Sequence, residues 1–179
     1  IVVSDDRAAL SDLARYMVSL GHKDIGIISG PQQYYSSKER LEGFVETLNG
    51  LGVDVPKNRV IEGKNSFESG IECARQLLIQ SPRVKAIFAN NDEMAAGVLK
   101  VAHEMGITVP DELSVAGFDD NLLAARVIPA LTTVQRPVGD MAAIAARKII
   151  AHIEGSEVSE TETYLVKPHL IIRDSIKKV

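Results

Sequence analysis

Apolar positions along the chain follow two alternating rhythms. Short apolar, β-rich runs occur at Ile1–Val3, Ile25–Ser29, Arg59–Glu62, Ala86–Ala89 and Ser114–Phe118, and each reads as a strand. Between them apolar residues recur at helical spacing, which gathers them on one face. Leu10, Leu13, Ala14, Met17 and Val18 form the first face, and Leu41, Phe44, Val45 and Leu48 the second. Phe67, Ile71, Ala74, Leu77 and Leu78 form a third, and Met94, Ala95, Val98, Leu99 and Ala102 a fourth. Gly21, Gly52 and Gly106 stand where these helices should stop, and Ser66 or Asp92 can cap a start. The alternation predicts an α/β fold, a parallel sheet flanked by helices.

After Phe118 the rhythm breaks. Residues 119–137 read as a loop-rich stretch holding Pro129 and the pair Thr132-Thr133. A fifth helix follows, with Val138, Met141, Ala142, Ala145 and Ile149 on one face, ending near Gly155. A polar stretch over 156–162 then leads to two short strands around Tyr164–Val166 and Leu170–Ile172. The sequence has no internal repeat and no low-complexity segment.

Composition narrows the function classes. With 179 residues, 45% of them hydrophobic, the chain can bury one good core or two small lobes. A net charge of −4 argues against a phosphate-binding surface, which needs clustered Lys and Arg. The lone Cys73 excludes an internal disulfide and suits a reducing compartment. No apolar run approaches the roughly 18 residues of a membrane span, so no membrane partner is expected. The opening Ile1-Val2-Val3-Ser4 is neither a Met start nor a signal peptide, and a chain opening within a strand reads as a fragment.

Ligands of open parallel sheets bind beyond the carboxyl ends of the strands. The polar residues there are Gly30-Pro31-Gln32-Gln33-Tyr34-Tyr35 with Arg40 beyond, Gly63-Lys64-Asn65, Asn90-Asn91-Asp92, and Asp119-Asp120. Carboxylates, carboxamides and a guanidinium on one rim suit a hydroxyl-rich ligand, which needs several directional donors and acceptors. Each residue has a plainer alternative. Arg40 lies between Glu39 and Glu42, the setting of a solvated ion pair; Asn91 and Asp92 suit helix caps. Asp119-Asp120 fits a turn or a phosphoacceptor, and Tyr34-Tyr35 either stack on a sugar or pack as a lid. Enzymatic readings fare worse. There is no Gly-x-Ser-x-Gly elbow, Walker loop or Gly-x-Gly-x-x-Gly motif. His22, His103, His152 and His169 are scattered without partners at metal-ligand spacing, so no metal or cofactor is expected.

Five ordered segments stand out: Leu20-Gly21-His22-Lys23-Asp24-Ile25 with Gly30; Arg40-Leu41-Glu42-Gly43-Phe44; Asn91-Asp92-Glu93-Met94-Ala95-Ala96-Gly97; Leu113-Ser114-Val115-Ala116-Gly117-Phe118-Asp119-Asp120 after Gly106–Pro110; and Pro129-Ala130-Leu131-Thr132-Thr133-Val134-Gln135-Arg136-Pro137. Together they resemble the LacI/GalR family of bacterial transcription regulators. The resemblance implies a type I periplasmic-binding-protein-like effector module, in which two α/β subdomains joined by crossover strands close on a small molecule. Residues 1–135 would be the C-terminal subdomain, 136–155 a returning helix that packs on the N-terminal subdomain, and 156–179 closing strands and tail.

On that resemblance the effector contacts fall on Arg40, Asn91 and Asp119, with Asn90 and Tyr34 beside them. Asn65 stands where a pocket aromatic often follows the third strand, and Arg136 where the family has Gln. A charge there favours an anionic or hydroxyl-rich effector. Family dimers meet on the outer face of the helix beginning at Asp92 and on the following loop, here Ala96, Leu122, Leu123 and Val127. The whole implies the effector-binding, dimerising part of a cytoplasmic regulator that senses a sugar or nucleoside. It would reach operator DNA only through a headpiece outside this chain. A periplasmic sugar receptor and a doubly wound enzyme are the alternatives.

Overall fold

The computed structural model describes residues 1–155 and 162–179. Strand β1 (Val2–Ser4) leads into helix α1 (Asp6–Ser19), β2 (Ile25–Ser29) into α2 (Tyr35–Gly50), and β3 (Val60–Glu62) into α3 (Phe67–Leu78). β4 (Ala86–Ala89) leads into α4 (Asp92–Glu104), and β5 (Ser114–Ala116) into a long loop ending in β6 (Thr133–Gln135). α5 (Val138–Ile153), β7 (Tyr164–Val166) and β8 (His169–Ile171) follow.

Four parallel strands in the order β3-β2-β4-β5 make the central sheet. Bridges between Ala116 and Thr132 and between Asp119 and Gln135 bring the β6 segment alongside β5, and β8 pairs antiparallel to β6. β1 and β7 form a separate parallel pair, against which α5 leans.

Side-chain alternation along the strands divides the core. Ile25, Ile27, Ala86 and Phe88 pack with Leu10, Leu13, Met17, Phe44 and Leu48 of α1 and α2. Ile28, Ile87 and Val115 face the other way, onto Leu77, Leu78, Met94, Val98 and Val101 of α3 and α4. Each fully buried aliphatic or aromatic side chain contributes about 1.5–3 kcal/mol. Helices α3 and α4 touch backbone to backbone: a Cβ on Gly97 would come within 2.6 Å of the Phe67 carbonyl oxygen. That contact holds α4 close against the first turns of α3.

The structure corrects several boundaries. β1 is shifted to Val2–Ser4, Arg59 belongs to a 3-10 turn ahead of β3, and β8 is His169–Ile171. β5 stops at Ala116, because the chain from Gly117 onward bonds across to the β6 segment instead. The stretch expected as loop contains β6, whose Thr133 and Val134 are fully buried; β-branched residues there pack under the sheet edge. The polar connection expected across 156–162 lies, apart from Glu162, outside the described residues. Helix α5 has no buried residue, with Val138, Ile149 and Ile153 each more than half exposed.

Candidate functional site

Arg40, in the second turn of α2, is 4% exposed. Its Nε donates to Asp6 Oδ2 at 2.7 Å, and Nη1 donates to the Asn90 carbonyl at 2.8 Å. Nη2 lies 3.8 Å from Asp119 Oδ1, and the guanidinium sits 3.6 Å from the centre of the Phe118 ring. Burial pulls the Arg40 pKa below its ordinary value, and Asp6 and Asp119 oppose that pull. A charge this deep persists only because it is paired and hydrogen-bonded. Its partner is not Glu39 or Glu42, which go to Arg7 along with Glu46.

The neighbouring carboxamides are knotted together. Asn90 Nδ2 donates to Asn65 Oδ1 at 2.9 Å, and Asn91 Nδ2 donates to the Asn65 carbonyl at 2.9 Å. Asn65 itself has φ 60°, in the left-handed region that Asn tolerates through its short polar side chain. Asn91 Oδ1 accepts the Met94 N–H at 2.9 Å, so the capping alternative holds for Asn91. Gly30 leaves the space the knot occupies, since a Cβ there would collide with Asn90, Ser37 and Asn65. Asn90 is buried and its Oδ1 has no partner among the described residues.

Asp119 and Asp120 follow with φ of 111° and 53°. Such backbone costs about 1–3 kcal/mol per residue and persists only when its surroundings over-determine it. Here the Asp92 N–H donates to the Phe118 carbonyl at 2.8 Å, and Asp92 Oδ2 accepts the Asn121 N–H at 2.9 Å. Thr133 Oγ1 donates to Asp92 Oδ1 at 2.6 Å. Asp120 is held by Arg173 at 2.6 Å and by Gln135 Nε2 at 3.0 Å. Burial raises the Asp92 pKa to about 6; Thr133 and the Asn121 N–H oppose the rise, and the nearby Asp119 and Asp120 add to it. Burial also raises Asp119, against the pull of Arg40 and Arg136.

Arg136 approaches from the end of β6, its Nη1 3.9 Å from Asp119 Oδ1. Beyond it a cavity of about 260 Å³ opens between β1, the start of α2 and α5, lined by Ser4, Asp6, Tyr35, Arg136 and Met141 among others. The rim thus offers carboxylate and carboxamide acceptors beside a guanidinium donor, a set that binds hydroxyls. Among the described residues no cluster of His, Cys, Asp and Glu could hold a metal. His22 sits elsewhere, its Nε2 2.9 Å from the Lys177 carbonyl, and Cys73 is buried on the inner face of α3.

The structure therefore brings together Arg40, Asn65, Asn90, Asn91, Asp119 and Arg136. It leaves Tyr34 apart: that side chain is 55% exposed, and Tyr35 lines the cavity instead. Asp6 is the residue sequence reasoning passed over, although it follows β1 by two positions and falls under the same strand-end rule. Asp92, expected as a cap, yields that place to Asn91 and instead holds the turn after β5 through Asn121 and Thr133. Thr133 and Arg173 were missed as turn-holding residues, because nothing in their spacing signals that work. On the far side, Ala96 is 6% exposed and Leu123 and Val127 are half-buried. These three line a shallow depression of about 400 Å³ with Ile128, while Leu122, outside it, is 73% exposed.

Comparison with known proteins places this arrangement. The sequence profile described as periplasmic binding protein-like domain matches residues 14–176. The probable transcriptional repressor ExuR of Bacillus subtilis is 31% identical over 178 residues, covering 99% of this chain and 53% of that protein. The transcriptional repressor PurR of Salmonella paratyphi B is 36% identical over 162 residues, covering 90% and 47%. A sugar-binding LacI-family regulator from Escherichia coli, solved with phosphate, superposes with a TM-score of 0.91 at 31% identity, covering 99% of this chain and 63% of that one. The chain spans about half the length of the curated relatives it matches. It belongs to the periplasmic binding protein-like domain family, in the form carried by LacI-family transcriptional regulators.

Proposed function

We propose that this chain is the effector-sensing part of a cytoplasmic LacI-type regulator, and that a hydroxyl-rich small molecule of the sugar or nucleoside class binds against Arg40, Asn90 and Asp119. The observation that carries this is the buried Arg40, which draws groups following three separate strands into one polar rim. The role is binding rather than catalysis, in keeping with relatives that are repressors. An effector that prefers one arrangement of two lobes shifts the geometry offered to DNA, and so operator affinity, by its differential affinity for the two states. DNA contact itself belongs to a headpiece outside this chain.

Self-association uses the outer face of α4 and the loop after β5. Leu122 and Ile128 stand 73% and 94% exposed there, beside Leu123, Val127 and the small Ala96. The exposed face of α5 takes the family's other lobe, which gives 136–155 its separate place in the domain scheme. Asp119→Ala in the full-length protein tests the effector site. Effector response measured by operator-binding titration should fall about tenfold or more, while operator affinity without effector holds. Unchanged effector response would refute the site.

A further inference from the structure

The charged residues lining the 260 Å³ cavity beside β1 are Asp5, Asp6, Arg7, Glu39 and Arg136. Four are already engaged. Asp5 Oδ1 caps α1 through the Ala8 N–H at 3.1 Å, Asp6 Oδ2 takes Arg40, and Arg7 binds Glu39 at 3.1 Å. Arg136 differs. Among the described residues its guanidinium makes no hydrogen bond, and its Nε is buried without a partner. Its nearest carboxylate oxygen, Asp119 Oδ1, is 3.9 Å away, beyond hydrogen bonding, and is shared with Arg40.

Two other lining residues hold a buried polar atom without a partner. Asp6 is 4% exposed, and its Oδ1 accepts nothing; Ser4 Oγ is likewise alone. The remaining walls include Val2, Val3, Met141 and Leu165, apolar surface of the kind a sugar ring packs on. Arginine can only donate, and two oxygens side by side fit its fork. A hydroxyl satisfies one N–H; a carboxylate satisfies two and brings a counter-charge closer than Asp119, which stands 3.9 Å away and is shared with Arg40. We propose that the effector carries a carboxylate, received by the Arg136 guanidinium in this cavity. Rested on the effector reading above, this names the ligand class as a sugar acid.

The test is calorimetric titration of the full-length protein with D-glucuronate and D-galacturonate against D-glucose and D-galactose, with neutral nucleosides alongside. At least one uronate should bind about tenfold or more tighter than its parent hexose, as a charge-assisted pair predicts. Arg136→Gln should erase that margin, and Arg136→Lys should keep part of it, as a point charge without the fork. Hexoses binding as well as uronates, a margin that survives Arg136→Gln, or no binding by either class would overturn the inference. A neutral sugar or nucleoside whose binding is lost in Asp119→Ala but indifferent to Arg136→Gln would also overturn it, while leaving the effector site itself standing.

Discussion

Arg40 and Arg136 reach the same oxygen of Asp119, at 3.8 and 3.9 Å, yet the protein treats them oppositely. Arg40 is sealed in, with a carboxylate, a carbonyl and the Phe118 ring arranged around it. Arg136 keeps 35% of its side chain exposed, and its guanidinium has no hydrogen-bond partner among the described residues. Proximity to a site therefore does not assign a role; the partners already in place do. Arg40 builds the rim and aims it, and Arg136 is left for something that arrives.

The largest effect expected from this contrast is on folding. Arg40→Ala strands Asp6 as a buried carboxylate without its cation, and breaking such a pair costs about 3–5 kcal/mol. Urea unfolding should show that loss as a lower midpoint. A cost near zero would erase the distinction between the two arginines.

Next in size is a pH effect seated in the turn that carries Asp119. The Asp92 pKa stands at about 6 in the folded protein, above its ordinary 3.8. Between those values the folded state holds a proton that the unfolded state releases, so this group favours folding most below about pH 4. Its contribution declines as pH rises toward 6, by up to about 1.4 kcal/mol per pH unit. Asp92→Asn should flatten that dependence, as urea midpoints of the two proteins across pH 4.5–7 would reveal. Parallel slopes would mean that Asp92 titrates in its ordinary range.

The smallest effect is the complement of the first. Arg136→Gln should leave stability within about 0.5 kcal/mol of the parent, the range of a surface change that breaks no internal bond. A loss comparable with Arg40→Ala would show that Arg136 has an internal partner after all.

Much of this was legible in the sequence, and the rest was hidden for physical reasons. Helical spacing gave the faces of α1 to α4 because the residues that recur are the ones buried, as with Leu10, Leu13 and Met17 or Met94 and Val98. The expected helix stops at Gly21, Gly52 and Gly106 all have positive φ. The same spacing on α5 predicts a helix correctly but says nothing about who covers it. An amphipathic pattern records that a face seeks a partner, not where the partner is. Strand β6 was hidden because Pro129 and its polar neighbours resemble a loop, while its pairing depends on a distant strand, β8. Strand-end positions marked Asn90 and Asp119, and the family resemblance marked Arg40, residues that the structure brings side by side. The Arg40 partner was not legible, since Asp6 lies 34 positions away and nearer acids were available.

The two-arginine account is tested most directly by nitrogen–proton correlation spectra of the arginine Nε–H groups in the full-length protein, recorded before and after adding a uronate. The Arg40 resonance should be protected from solvent exchange in both spectra and move little, while the Arg136 resonance should shift and gain protection only when the ligand is present. An Arg136 signal already protected and unmoved by ligand, or an Arg40 signal that gains its protection on binding, would contradict it.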